Sequence, residues 1–446
     1  MPTGSLFTLG NPLGRLCIGL GLTLSSLCKV PVSATMPLSP YPRIQDGAGI
    51  RWDSVQTPLI SPEHDNGLAE FDFDAPRLVR FFPSWSDSGQ LVGDGSDSLL
   101  NSLSEAVWIT EADKLEATRT GHGYIDITEH PEWTSASPPS YRQHTRHVYH
   151  PPNSTMVPNI LPLLSSDEQK ANLKTFTSFH TRFYNSDTGH ASSRWLYKRI
   201  LNYTNEYASE SLKDAVDIEL LLWKHSAFKQ ESVVVRLSPK SSVTDSITIV
   251  GAHCDSMNYA HPFDRSPGAD DDGSGTITIL EAYRGILRSG YIPSSPLEFH
   301  FYAAEEGGLL GSTDISKTYA KEGKDVRGMI EFDMTAWVKA GEPERIGVFV
   351  NLADPLLSEY LKSLIDKYLD IPWVQTRYPG KAGSDYMSWT LAGYQSCHAV
   401  EGPWGSMNPN PHTTSDRIDI SPEFSFDHIL RFTKLAVAFA VELSEY

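Results

Sequence analysis

From Ser165 onward the apolar residues fall into two alternating patterns. Leu173, Phe176 and Phe179 recur at helical spacing behind Ser165, Ser166 and Glu168, the arrangement of a capped helix start, and a second helix is expected around Trp195–Leu201. Short, nearly continuous apolar runs follow at Val233–Leu237, Ile247–Val250, Leu297–Tyr302, Met329–Phe332 and Gln395–Val400. Runs of that length and β-branched content read as strands buried on both faces. Ile279, Leu280, Tyr283, Ile286 and Leu287 make a stripe at helical spacing between two of them, and Ala436–Leu443 continues a closing amphipathic helix. Buried strands alternating with helices predict an α/β fold, a three-layer α/β/α sandwich around a mostly parallel, mixed central sheet. No internal repeat is visible.

Before residue 149 the pattern loosens into scattered Pro, Trp, Asp and Ser. Arg15 precedes the apolar stretch Leu16–Leu27, which is too short to span a bilayer, and Val32-Ser33-Ala34 offers a small-residue cleavage site. Residues 1–34 are therefore expected to be a signal peptide, 35–148 a small separate region, and 149–446 the main domain. Within the small region, Phe71–Phe82 and Leu99–Ile109 are expected to form a strand and a helix, and His144–Asn153, with Pro151-Pro152, resembles a linker.

With 446 residues, 40% of them hydrophobic, the chain has ample material for a large core. A formal net charge of −18 with no basic stripe argues against nucleic-acid binding. No later run is apolar enough to cross a membrane, so the expectation is a secreted protein, and a monomer by default. Removing the signal removes Cys17 and Cys28; Cys254 and Cys397, in or beside strand runs, are expected as buried thiols rather than a disulfide framework. Asn153-Ser154-Thr155 and Asn202-Tyr203-Thr204 fit the glycosylation rule, which secretion would put to use.

The chemistry is concentrated where strands end. Gly251-Ala252-His253-Cys254-Asp255-Ser256 closes one strand, Ala304-Glu305-Glu306-Gly307-Gly308 another, and Phe332-Asp333-Met334 a third. In open α/β sheets, sites form at the carboxyl ends of strands. Pro267-Gly268-Ala269-Asp270-Asp271-Asp272-Gly273 lies on a turn that opens the next helix, which would bring Asp271 near His253, and His412-Thr413-Thr414-Ser415-Asp416 adds a second histidine. Imidazole and carboxylate suit Zn²⁺, and two ions are best held by one shared carboxylate with further ligands on each side. In an extended segment adjacent acids face opposite ways, so one of Glu305 and Glu306 would coordinate while the other accepts a proton from water. Asp255 is placed to orient the His253 ring. Taken singly these features are ordinary: lone histidines such as His261 and His300 are usually structural, and an Asp-Asp-Asp-Gly run is usually a solvated turn.

In this order the motifs His-x-Asp, Pro-Gly-Ala-Asp-Asp-Asp, Ala-Glu-Glu-x-Gly-Leu-x-Gly-Ser, Asp-Met-Thr and His-Thr-Thr-x-Asp resemble the secreted di-zinc aminopeptidases of peptidase family M28, of the fungal and bacterial leucine aminopeptidase type. The resemblance runs from about Pro158 to Tyr446 and takes in Arg182-Phe183-Tyr184 and Ser232-Val233-Val234. It implies a sandwich of the zinc-exopeptidase type behind an N-terminal pro-region, and two Zn²⁺ ions per chain. One ion would take His253 and Asp333, the other Glu306 and His412, with Asp271 bridging; Glu305 would be the general base and Asp255 would orient His253. The Asp271-Asp272 peptide bond is often cis in such proteins. The substrates implied are peptides with a free N-terminus, and pocket walls would come from Met334, Val400, Trp404 and Pro411.

Secreted members are often made with a propeptide, so residues 35–148 are read as propeptide, with a permanent accessory domain as the alternative and processing expected between Arg142 and Ile160. The chain departs from the pattern at Pro379-Gly380-Lys381-Ala382-Gly383-Ser384-Asp385-Tyr386, where relatives carry Cys-Gly-Tyr-x-Cys before Ser-Asp-His. Lys381 thus stands for a pocket tyrosine, and its ammonium would tilt preference from leucine toward acidic residues, unless it extends to solvent. A glutaminyl-cyclase-like enzyme with one zinc, and a non-catalytic metal-containing binding protein, are the alternative readings. The Asp triplet speaks for two metals, and Glu305 for catalysis.

Overall fold

The computed structural model describes residues 70–82, 103–134, 145–378 and 382–445, all within the unit Pro58–Tyr446. The expected signal peptide lies outside the described residues. Residues before 135 supply a three-stranded antiparallel sheet of β1 (Pro76–Phe81), β2 (Val107–Thr110) and β3 (Tyr124–Asp126) in the order β2-β1-β3. The strand expected over Phe71–Phe82 is β1, but the helix expected over Leu99–Ile109 is absent from the described part of that span. Val107, Trp108 and Ile109 pair with β1 instead, and helix α1 (Glu111–Arg119) begins only after Thr110. Thr110 accepts the Asp113 N–H while the Asp113 carboxylate accepts the Thr110 N–H, a reciprocal cap that fixes the helix start. The β-branched residues ahead of it suit the ladder.

The central sheet has eight strands: β4 (Val216–Trp223), β5 (Ser232–Pro239), β6 (Ile247–His253), β7 (Leu297–Tyr302), β8 (Val326–Phe332), β9 (Ile346–Phe349), β10 (Trp373–Thr376) and β11 (Ser396–Val400). Their order is β10-β9-β11-β8-β6-β7-β5-β4. The middle four, β11, β8, β6 and β7, run parallel, while β5, β4 and β9 add antiparallel pairings toward the edges. The sheet is therefore mixed and mostly parallel, as expected. All seven residues of β6 and all six of β7 are buried, which is why they read as continuous apolar runs.

Alternate strand residues feed two cores. Val250 and Ala252 of β6 and Ile330 and Phe332 of β8 face α2 (Ser166–Phe176), α3 (Asp187–Tyr207), α4 (Gly273–Ser289), α6 (Pro355–Tyr368) and α8 (Phe426–Ser444). Ile249 and Met329 face the other way, toward α5 (Leu310–Glu322) and α7 (Tyr386–Leu391). That second face is only partly covered by helix. Leu78, Phe82, Ile125, Ile127 and Trp133 of the N-terminal module complete its core. The arm after residue 144 is also tied down, with Arg146 paired to Asp354, His147 to Asp325, and the Tyr149 hydroxyl donating to the Arg327 carbonyl.

Helix α4 positions the site. Its N-cap Asp272 accepts the Gly275 N–H, and every residue from Gly273 to Leu287 is buried. Gly275 has no room for a side chain, since a Cβ there would lie 2.0 Å from the Phe332 carbonyl oxygen and within 2.5 Å of both Asp272 oxygens. We expect Gly275→Ala to push α4 away from β8 and to destabilise the protein by about 1–3 kcal/mol or more. Urea denaturation measures this, and an unchanged midpoint would show that the helix start shifts freely.

Candidate metal centre

Strand ends β6, β7 and β8 bring three of the expected residues together, and two loops bring the rest. The His253 Nε2 atom lies 3.2 Å from Asp271 Oδ1 and 3.6 Å from Asp333 Oδ1. On the other side, His412 Nε2 lies 2.8 Å from Asp271 Oδ2 and 3.2 Å from Glu306 Oε2. The two oxygens of Asp271 thus face different histidines. Among the described residues, His253, Asp271 and Asp333 form one group able to hold a metal ion, and Asp271, Glu306 and His412 form another. In each group the candidate ligand atoms lie within 4.8 Å of one another.

Buried carboxylates hold the segments that carry these side chains. Asp255 Oδ1 accepts the Glu305 N–H at 3.1 Å and Oδ2 the Glu306 N–H at 3.2 Å, and Oδ1 stands 3.5 Å from His253 Nδ1. Asp255 therefore bonds chiefly to the Glu305–Glu306 backbone and only approaches the ring it was expected to orient. Asp272 accepts the backbone N–H groups of His253 (3.2 Å) and Met334 (3.1 Å), and the Asp271–Asp272 peptide is cis. Glu305 and Glu306 are not extended but sit in a turn. Ala304, Leu309, Met334 and His412 all adopt positive φ near 60°, at about 1–3 kcal/mol each, so the surrounding packing over-determines the site backbone.

Electrostatics follow from burial. Burial pulls the His253 imidazole toward neutrality, but Asp255, Asp271, Asp333 and Glu305 outweigh it and hold its pKa well above the histidine range. His412 is likewise pulled down by burial and carried well above that range by Glu306 and Asp271. Asp271, despite burial, is held below the carboxylate range by His412 and His253. Burial pushes Glu305 well above the usual range, countered in part by His253, and raises Glu306 to about 7 against the pull of His412. Both His253 ring nitrogens and Glu306 Oε1 are buried without a hydrogen-bond partner. Orphaned nitrogen and oxygen donors converging on two points fit zinc.

A cavity of about 600 Å³ opens onto these groups. It is lined by Asp271, Glu305, Glu306, Asp333 and His412, and by the expected wall residues Met334, Val400, Trp404 and Pro411. Lys381 lies outside the described residues. A tyrosine nonetheless lines the pocket: Tyr378, buried and stacked on Phe349 with ring centroids 4.0 Å apart. His398, kept neutral by burial with a pKa near 4, and Tyr259, stacked on His412 at 3.9 Å, were also missed. His398 could have been found from its place two residues before Val400, whereas nothing local marks Tyr259. The end of α1, the turn after it and the start of β3 bring Arg119, His122 and Tyr124 to the cavity lining. Asn153 and Asn202 are exposed, and Cys254 and Cys397 are buried and free.

Residues 232–437 match the model of peptidase family M28. The chain is 40% identical over 374 residues to leucine aminopeptidase 1 of Phaeosphaeria nodorum, covering 80% of this chain and 91% of that protein. It is 40% identical over 349 residues to leucine aminopeptidase 1 of Neurospora crassa, covering 76% and 83%. Among solved structures, the LapA aminopeptidase of Legionella pneumophila aligns with TM-score 0.69 at 27% identity, covering 84% of this chain and 99% of that one. LapB of the same organism shares the fold, with TM-score 0.68 at 24% identity over 83% of this chain and all of the other.

The surrounding carboxylates favour the protonated form of both imidazoles, whereas only neutral imidazole binds zinc. Zinc uptake should therefore release protons, and affinity should fall as pH falls, by about tenfold per unit for each proton released. Calorimetric titration at pH 7 in two buffers of different ionisation heat reads the release. Uptake with no proton change would show that both imidazoles are already neutral before zinc binds.

Proposed function

The chain belongs to peptidase family M28 and is a metallo-aminopeptidase, and we propose that it releases single N-terminal residues from peptides at a centre of two zinc ions. The carrying observation is Asp271, whose two oxygens face His253 and His412 separately, as a carboxylate shared between two ions would. His253 and Asp333 would complete one position, Glu306 and His412 the other. Zinc bound there would supply Lewis acidity toward the scissile carbonyl and make water acidic near neutral pH.

Glu305 is the general base in this reading. Its carboxylate lines the cavity, and no hydrogen bond to it is found among the described residues, which leaves it free to take a proton from the attacking water and return it to the leaving amine. The backbone bonds from Glu305 and Glu306 to Asp255 fix which of the two acids faces which way. The substrate's free α-amine is attracted to the acidic end of the cavity. Met334, Val400, Trp404, Pro411 and Tyr378 give the first side chain apolar walls.

Residues 1–34 direct secretion in this proposal, and no described helix is long and apolar enough to cross a membrane. Glycans would attach at Asn153 and Asn202, and the enzyme would act as a monomer. The module before residue 135 is read as a propeptide that obstructs the cleft while attached. Arg119 donates to the carbonyls of Tyr259 and Ala260, and the Asp126 N–H to that of Gly308, beside the Glu305–Glu306 turn.

Two measurements test this. Glu305→Gln should keep its zinc and fold normally while kcat falls about 10²- to 10⁴-fold; near-normal turnover at full metal content would remove Glu305 as base. N-terminal sequencing of secreted, active enzyme should give a start between Arg142 and Ile160. Active enzyme that still carries β1–β3 would make the module a permanent accessory domain.

A further inference from the structure

Asp416 closes the motif His412-Thr413-Thr414-Ser415-Asp416, and the chemistry above makes no use of it. Its side chain is fully buried, and both oxygens accept the Asp270 N–H, at 3.1 and 3.2 Å, while Oδ2 also accepts the Asp271 N–H at 3.0 Å. The Asp416 carbonyl accepts the Ala269 N–H at 3.1 Å. At the other end of the same loop, the Asn408 amide donates to Asp270 Oδ2 at 2.9 Å and to Asp416 Oδ1 at 3.3 Å. The stretch that carries His412 is thus fastened at both ends to the turn that carries Asp271.

On its other side this turn is held by different bonds. Asp272 accepts from His253, Gly275 and Met334, which ties Asp271 to the strand ends bearing His253 and Asp333 without involving residues 408–416. The His253–Asp333 half therefore has an anchor of its own in Asp272, while Asp270 touches both sides, its Oδ1 accepting the Ala336 N–H and its Oδ2 the Asn408 amide. We propose that Asp416 is a positioning residue that fixes His412 Nε2 against Asp271 Oδ2, and so sets the cation affinity of the Glu306–His412 position but not that of the His253–Asp333 position. This rests on the two-ion reading of the site.

Asp416→Asn keeps the volume and replaces one acceptor oxygen by an NH₂ group, so at least one of the N–H groups of Asp270 and Asp271 faces a donor. The test titrates metal-free protein with zinc against a chelating dye, with the substitution made in wild type, in His253→Ala and in His412→Ala. Indirect support of a ligand is commonly worth 10- to 100-fold in affinity. That loss is expected from Asp416→Asn in the His253→Ala background, where only the Glu306–His412 position remains intact. In the His412→Ala background the remaining affinity should change by less than about threefold.

A general loss of stability would weaken both backgrounds alike, and that result, or no weakening in either, overturns the proposal. If Asp416→Asn does not fold, Asn408→Ala decides on the same criterion, since it removes the second fastening, through the Asn408 amide to Asp270 Oδ2 and Asp416 Oδ1, while leaving the Asp416 carboxylate in place. Wild-type protein that takes up no zinc overturns the metal reading itself, and the proposal with it. Wild type that takes up two ions while both backgrounds lose affinity equally overturns only the role of Asp416.

Discussion

Negative charge is gathered at the carboxyl ends of β6, β7 and β8 beyond what the neighbouring cations neutralise. Asp271, Asp333, Glu305 and Glu306 share a cavity with His398 and His412, and Asp255, Asp270, Asp272 and Asp416 are buried nearby. A buried carboxylate is tolerated only when it is hydrogen-bonded or paired. Here the inner ones are held by backbone N–H groups, in pairs that join one ligand-bearing segment to the next. The fully buried Arg182 donates instead to the carbonyls of Cys254, Pro267 and Gly268 and so braces the strand end and turn around the acids. What remains uncompensated is the cavity-facing set, the charge that divalent ions and a substrate's ammonium group would balance.

That arrangement also explains the backbone. Close approach of segments to a crowded acid cluster needs glycine or left-handed geometry at several points. Gly275 lies against the Phe332 carbonyl, and at Gly308 an added Cβ would strike the Tyr124 ring. Ala304, Met334 and His412 take positive φ beside the cavity. Each local cost is sustained by the two cores on either side of the sheet.

The N-terminal module is bound into this framework by more than its contacts at the cleft. Lys114 is buried between Glu111 and Asp126, and Glu111 also accepts from the Tyr184 hydroxyl of the main domain. Phe71 packs edge-on against Phe183 and Phe263. Release of the module would expose these aromatic rings and leave Tyr184 without its acceptor. In the propeptide reading, separation from the processed enzyme is therefore opposed by both apolar burial and a buried ion cluster.

The sequence alone determined the parallel core, because strands buried on both faces must be continuously apolar, and it determined which side chains lie at the strand ends, because each motif directly follows such a run. His253, Glu305, Glu306 and Asp333 were legible for that reason, and Asp271 from the turn that opens α4. Edge elements were less so: β4, β9 and β10 were not singled out, since half-exposed or four-residue strands carry little period, and β2 was mistaken for part of a helix because the Thr110–Asp113 cap lies beyond it. Only the tertiary structure decided that Asp255 bonds mainly to the Glu305–Glu306 backbone, that Tyr378, His398 and Tyr259 border the cavity, and that Asp416 fastens the His412 loop to the Asp271 turn. Those relations join segments tens to more than a hundred residues apart. Nothing in local spacing encodes which buried carboxylate will meet which backbone N–H; packing of the helices and the sheet fixes that.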